Sequence, residues 1–250
     1  LPRFDLFLIA GQDWTSQAYF YSLIVAAACL TIGLGTRFSA GYLAMGFISL
    51  FNHNPFIFNS GEALLRLNAI FLTFSPAGNR YSLDCWLREK RGLPGFSSYS
   101  CPWAQRMIQL QLTIAYAGTF CTKIRGPQWW NGDAVYYATR LTEFINLPLP
   151  LLNQIWFCHA CTWLTLVIEL AGFTLIWFKP LRPYIIVALL IFHLGIAYLF
   201  FLPIFEFLFI TSLVTFIEPD IVKSVVETAT GLWRQVFNQR RTIDTTAPLP

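Results

Sequence analysis

Charge is what this sequence has least of: Asp, Glu, Lys and Arg make up 12% of its 250 residues, where a soluble domain carries about 25%. With 56% hydrophobic and 17% aromatic residues, the chain has too few polar groups to cover a globule, and a water-soluble fold is excluded. Cysteine is also sparse: six scattered thiols are too few for a disulfide framework. Cys85 and Cys101 share one predicted loop on the reducing side, and Cys29, Cys121, Cys158 and Cys161 lie in or beside apolar segments, where cysteine packs as a small hydrophobe. Catalytic signatures are missing too. There is no Gly-x-Ser-x-Gly elbow, no glycine-rich phosphate loop, no His-Glu-x-x-His and no carboxylate pair spaced for hydrolysis. Cys158-His159-Ala160-Cys161 is a lone Cys-x-x-Cys without a second pair, so no metal centre is expected. No basic run is interleaved with aromatics, and the net charge of +4 calls for no nucleic-acid partner.

What is present is apolar sequence in long windows: 19–34, 42–51, 57–74, 108–121, 155–178, 184–202 and 204–217. Backbone amides find no water in a bilayer, and no alternating ten-residue segments point to a barrel, so the windows are predicted to be helices. The fold class is therefore all-α, a polytopic transmembrane bundle of about six or seven helices with the lipid bilayer as its surroundings. Several windows fall short of the roughly 20 residues that a hydrocarbon core requires, and these should be tilted, broken or extended by flanking polar residues.

If the windows alternate in direction, one side collects Arg37, Arg80, Arg88, Lys90, Arg91, Arg106, Lys179, Arg182, Lys223, Arg234, Arg240 and Arg241. The other holds Arg3, Lys123, Arg125 and Arg140, with Arg66 inside a window. Basic residues accumulate in the cytoplasm, so the first side is predicted cytoplasmic and Lys123 extracytoplasmic. The transmembrane bundle is expected over 1–217, with an amphipathic and then polar cytoplasmic tail over 218–250. The chain starts at Leu1 without Met or a signal-peptide layout, which points to a missing upstream segment.

Polar groups inside these windows are the informative positions, because a charge at mid-membrane costs at least about 2.5–3.5 kcal/mol. Asn59, Glu62 and Arg66 share one helix face, with Glu62 and Arg66 spaced to pair across a turn. Such a group either fixes packing or marks a substrate path. Gln109, Tyr116 and Lys123 recur at intervals of seven on another face, either lining a cavity or making interhelical hydrogen bonds. His159, Thr162 and Glu169 form a third stripe, and Glu169 should pair or stay protonated. His193 stands alone in its window. Lys123 runs directly into Arg125, Trp129 and Trp130. It is either a snorkelling residue with its head in water or an amine made neutral enough by desolvation and the nearby Arg125 to take a proton.

Four segments resemble a known family. They are Asn54-Pro55 with Asn59-Ser60-Gly61-Glu62-Ala63-Leu64-Leu65-Arg66; Phe74-Ser75-Pro76-Ala77-Gly78 through Asp84; Gln109 through Lys123 to Trp129-Trp130-Asn131-Gly132 and Tyr136-Tyr137; and Glu169 together with Phe192-His193-Leu194-Gly195. Together these resemble the membrane domain of vitamin K-dependent gamma-glutamyl carboxylase and of the horizontally transferred transmembrane domain (HTTM) proteins. Against that family the chain looks like a fragment lacking the first helix.

The resemblance implies that Lys123 deprotonates vitamin K hydroquinone or menaquinol, that oxygen converts the anion to a strong base able to remove a proton from a glutamate, and that carbon dioxide adds to the carbanion. The cofactor-binding residues would be Asn59, Glu62, Arg66, Gln109, Tyr116, Trp129, Trp130 and His193, around a water-poor cavity. Two departures stand against the full carboxylase activity. The family's Asn-His pair is not matched, since Ser60 follows Asn59, and nothing after Ile217 could form a propeptide-recognition domain. A peptide substrate or a partner membrane chain would then come from elsewhere. The competing expectation is a non-catalytic membrane subunit or a peptide-maturation module of the sporulation-delaying-protein B type. A small-molecule transporter would show inverted repeats, and none is found.

Overall fold

A computed structural model describes residues 4–7, 13–54, 60–94, 102–141, 149–200 and 202–231. Each of the seven apolar windows becomes a helix: α1 (Asp13–Ile32), α2 (Thr36–His53), α3 (Ser60–Phe74), α5 (Trp103–Lys123), α8 (Ile155–Thr174), α9 (Arg182–Leu199) and α10 (Pro203–Leu213). Three shorter helices lie between them: α4 (Leu83–Lys90), α6 (Pro127–Asn131) and α7 (Ala134–Ala138). The described residues hold no paired sheet, so the all-α expectation is met. The chain divides into two compact units, Leu1–Thr215 and Phe216–Pro250, and the described part of the second includes a helix, α11, over 219–231.

Three spans are long and apolar enough to cross a membrane: Trp14–Ile32, Ile155–Trp177 and Arg182–Leu199. Only 11% of the first and third is buried against protein, so most of their apolar surface is left for lipid. α2 and α5 reach 18 and 21 residues by recruiting polar sequence, Thr36–Gly41 in one and Trp103–Met107 with Thr122 and Lys123 in the other. Eleven residues in α10 give about 17 Å, short of a hydrocarbon core, so this helix is a partial span.

The breaks between helices follow from local chemistry. Gly33 and Gly35 have φ of +72° and +55°, a region that suits glycine, and they turn α1 into α2. Gly132, at φ +88°, ends α6. Proline opens α6, α9 and α10, where its missing N–H costs nothing.

Helix α5 is the hub, packing against α3, α8 and α10, while α2 lies between α1 and α3, and α9 between α8 and α10. Its buried residues Ala104, Ile108, Gln109, Leu112, Thr113 and Tyr116 recur every three to four positions, the period of one helix face. Alternating helix directions gather Arg37, Arg80, Arg88, Lys90, Arg106 and Arg182 at one end of the bundle and put Lys123, Arg125 and Arg140 at the other.

Candidate functional site

At the C-terminal end of α5, Lys123 Nζ bonds to Glu169 Oε1 on α8. The Tyr116 ring packs beside Gly172, which sets the register of these antiparallel helices. Lys123 lies seven residues beyond Tyr116, so its Cα is at least a turn, about 6 Å, farther out than Glu169. Helical side chains lean toward their own N-termini, which sends the lysine stem inward and the Glu169 stem outward until they meet. The amine therefore points into the bundle, with 24% of the lysine side chain and 5% of that of Glu169 exposed. This is the opposite of snorkelling. The Trp129 ring covers Nζ at 4.8 Å, a cation–π distance.

Beyond Lys123 the chain turns through α6 and α7 and packs against α8. Gly132 lies beside His159 and the Val135 amide donates to Thr162 Oγ1 at 3.1 Å, so the two segments advance in the same direction. The α6–α7 segment thus folds back along α8 and screens the lysine end of the bundle. Trp130 is 65% exposed; its indole N–H donates to the Ile124 carbonyl at 2.6 Å, and its own carbonyl accepts from Trp163 at 3.3 Å. Asp133 and His159 pair at 3.0 Å, tying α6–α7 to the first turns of α8.

A second polar array lies deeper. Tyr116 Oη and His193 Nε2 are 2.6 Å apart, and His193 Nδ1 lies 2.5 Å from Glu206 Oε2. All three residues are nearly fully buried, and α5, α9 and α10 contribute one each. His193, alone in its own window, is not alone in the fold. The Phe209 ring stacks on it at 4.8 Å and helps to shut out solvent.

The other sequence-predicted residues are placed as follows. Gln109 is buried four turns below Lys123, where its Nε2 donates to the Thr215 carbonyl at 2.6 Å and its Oε1 accepts from Arg106 at 2.9 Å. That joins α5 to the end of α10, away from the amine. The Arg66 guanidinium sits 6.0 Å from the centre of the Phe51 ring, and Glu62 is half-buried one turn earlier on α3. Asn59 lies outside the described residues. Lys123, Trp129, Tyr116 and His193 thus gather toward one end, whereas Gln109 stands at the other.

The HTTM-domain family model matches residues 2–221, nearly all of the bundle. The chain belongs to the HTTM domain family. No solved structure matches it. HTTM membership and the apolar helices together make this a membrane protein. In this HTTM domain two of the polar stripes seen in the sequence meet, Lys123 on α5 with Glu169 on α8, and Tyr116 of the α5 stripe also reaches the solitary His193 on α9. Glu206 escaped the sequence analysis, although a carboxylate in the apolar run from Pro203 to Phe209 was the available signal. The Asp133–His159 pair was missed as well, because nothing in the linear order sets one beside the other.

Among the described residues, Glu169 Oε2 and Glu206 Oε1 are buried without a hydrogen-bond partner. The Thr119 hydroxyl is close enough to influence Glu169, but it donates to the Tyr116 carbonyl at 3.0 Å. No group of three or more potential metal ligands occurs among the described residues.

Proposed function

We propose that this HTTM protein carries out quinol-linked, oxygen-dependent chemistry related to that of the vitamin K-dependent carboxylase, with Lys123 as the base in a site facing away from the cytoplasm. The observation that supports it is the inward turn of Lys123 onto a buried carboxylate beneath an indole ring. A base must hold its proton only part of the time. In a low-dielectric surround a Lys–Glu ion pair and its neutral, proton-transferred twin lie close in free energy, so Glu169 can store the proton that frees Nζ.

The residues present fit a reduced naphthoquinone such as vitamin K hydroquinone or menaquinol. Glu169 Oε2 has no bond of its own and can accept from a hydroxyl, while Trp129 offers an aromatic face. When bound, such a quinol supplies an acidic hydroxyl and the electrons that reduce oxygen. Lys123 would take the proton at Nζ, Glu169 would orient the amine, and the α6–α7 segment would exclude water. The carbon acid that accepts carbon dioxide would come from a peptide or a partner chain.

The test is the full chain in lipid nanodiscs, supplied with reduced menaquinone and oxygen, with quinone epoxide measured by chromatography. Lys123→Ala should lower epoxide formation at least about 100-fold, the usual scale of a general base. Epoxidation by the variant at the wild-type rate would overturn the proposal.

A further inference from the structure

Five ionisable side chains from four helices crowd one region of the bundle: Lys123 and Tyr116 on α5, Glu169 on α8, His193 on α9 and Glu206 on α10. They divide into two short-range units, Lys123–Glu169 and Tyr116–His193–Glu206. The units are not electrically separate. The Tyr116 ring packs against Gly172, three residues along α8 from Glu169, so the two units adjoin on facing helices. The count of acids and bases also balances: two carboxylates face one amine and one imidazole, so the cluster carries no net charge whether each pair is ionised or has its proton on the carboxylate.

Structural glue alone does not call for this composition. A Tyr–His hydrogen bond would be satisfied without a carboxylate, and burying Glu206 costs free energy that one hydrogen bond does not recover. Glu206 instead makes a single bond, to the far nitrogen of the same imidazole, and leaves its second oxygen bare among the described residues. Glu169 does the same with Lys123. Each carboxylate is thus arranged as a one-sided proton partner, and the imidazole, which binds protons at both nitrogens, sits between Tyr116 and Glu206.

We propose that Tyr116, His193 and Glu206 form a proton-accepting array coupled to Lys123 through Glu169. The inference rests on the quinol reading for its purpose, and on the cluster itself for its existence. The step conserves protons and moves no electrons. A proton leaving the Glu169 carboxyl arrives at Tyr116 Oη, directly or over one water, as the Tyr116 hydroxyl proton passes to His193 Nε2. The imidazolium so formed is held by the Glu206 carboxylate, and Lys123 can then hand its own proton to Glu169 and act again. Tyr116, His193 and Glu206 are accordingly positioning and relay groups that need not touch the substrate. Other charged groups stand farther off: α3, packed on α5 and α10, brings Asn68 to Ser212 at 3.2 Å and carries Glu62 and Arg66, while α7 is preceded by the Asp133–His159 pair and followed by Arg140, which lies over Tyr136.

The experiment is nitrogen NMR of the full chain, labelled with 15N-histidine in nanodiscs and titrated with pH. There are three histidines, so His193→Gln, His53→Gln and His159→Gln assign the signals. The proposal expects Lys123→Met and Glu169→Gln each to displace the His193 titration by at least about one pH unit, the coupling of unit charges roughly 12 Å apart or closer at an effective dielectric near 20. Tyr116→Phe, which keeps the ring packing, should change the His193 Nε2 signal and leave the His53 and His159 signals unchanged. If His193 titrates alike in wild type, Lys123→Met and Glu169→Gln, the array is packing only and the proposal falls. This readout needs no quinol. A Lys123→Ala variant that still forms epoxide sinks the catalytic reading without touching the coupling, and loss of coupling with epoxidation still dependent on Lys123 sinks the array alone.

Discussion

Asp84 caps the start of a helix 48 residues before it: its carboxylate accepts from the Thr36 amide and the Thr36 hydroxyl, both at 3.2 Å, and from the Gly35 amide at 2.9 Å. The N-terminus of α2 has unsatisfied N–H groups and a positive dipole end, and a carboxylate answers both. Asp84→Ala should therefore destabilise the bundle by about 1–2 kcal/mol, and Asp84→Asn, which keeps an acceptor, by less. Thermal unfolding in nanodiscs, followed by tryptophan fluorescence, gives the comparison; equal midpoints for wild type and Asp84→Ala would show that the cap contributes nothing.

Gly33 allows this contact by letting the α1–α2 turn approach the loop before α4. A Cβ at position 33 would stand 2.5 Å from Ser82 Cβ and 2.8 Å from Ser82 Cα, and the φ of +72° adds strain of its own. Because the obstruction is backbone, no side-chain rotation relieves it. Gly33→Ala should cost at least about 2 kcal/mol, more than the removal of the Asp84 cap by alanine. Reversing that order in the same melting assay would refute the close approach.

Removing one member of the Lys123–Glu169 pair strands the other inside the bundle. Lys123→Met alone should destabilise by about 3–5 kcal/mol, and the double variant Lys123→Met with Glu169→Leu should recover most of it, since an apolar pair of similar volume replaces a buried ion pair at little cost. A double-mutant cycle on unfolding free energies measures the coupling; strict additivity would place the two residues out of contact.

Outside the spans, burial and the neighbouring Glu89 carboxylate push the Cys85 thiol up, with the sulfur 3.6 Å from Glu89 Oε1. A raised thiol holds less thiolate at a given pH, so Cys85 should alkylate more slowly at pH 8 than an unstructured cysteine peptide. Glu89→Gln removes the negative charge and should speed the reaction. Mass-spectrometric rates of iodoacetamide labelling decide it, and an unchanged rate in Glu89→Gln would remove the carboxylate from the explanation.

All seven main helices were legible because hydrophobic content is a property of each window by itself. Their ends were less so. Thr36–Gly41 and Trp103–Met107 extend α2 and α5 with residues that hydropathy reads as loop, and capping by a distant side chain such as Asp84 leaves no local trace. At the site, Lys123, Tyr116, Glu169 and His193 each stood out as polar groups in apolar sequence, yet their partnerships did not. Lys123 and Glu169 are 46 residues apart, and Tyr116 and His193 are 77. Which residues meet depends on the register of antiparallel helices, which a single helical period does not encode. The seven-residue spacing also overreached: it put Gln109 with Lys123 on one face, which is correct, but a shared face four turns long serves two ends of a bundle.

The chain of contacts from Tyr116 through His193 to Glu206 has a mechanical consequence. It bridges the break between α9 and α10, holding the last two helices of the bundle to its central one through three buried side chains. A carrier exposes its cargo first to one compartment and then to the other by rocking one half against the other. Here every swing of α9 and α10 against α5 would have to tear apart a chain of three buried polar groups, so these helices are built to move as one piece.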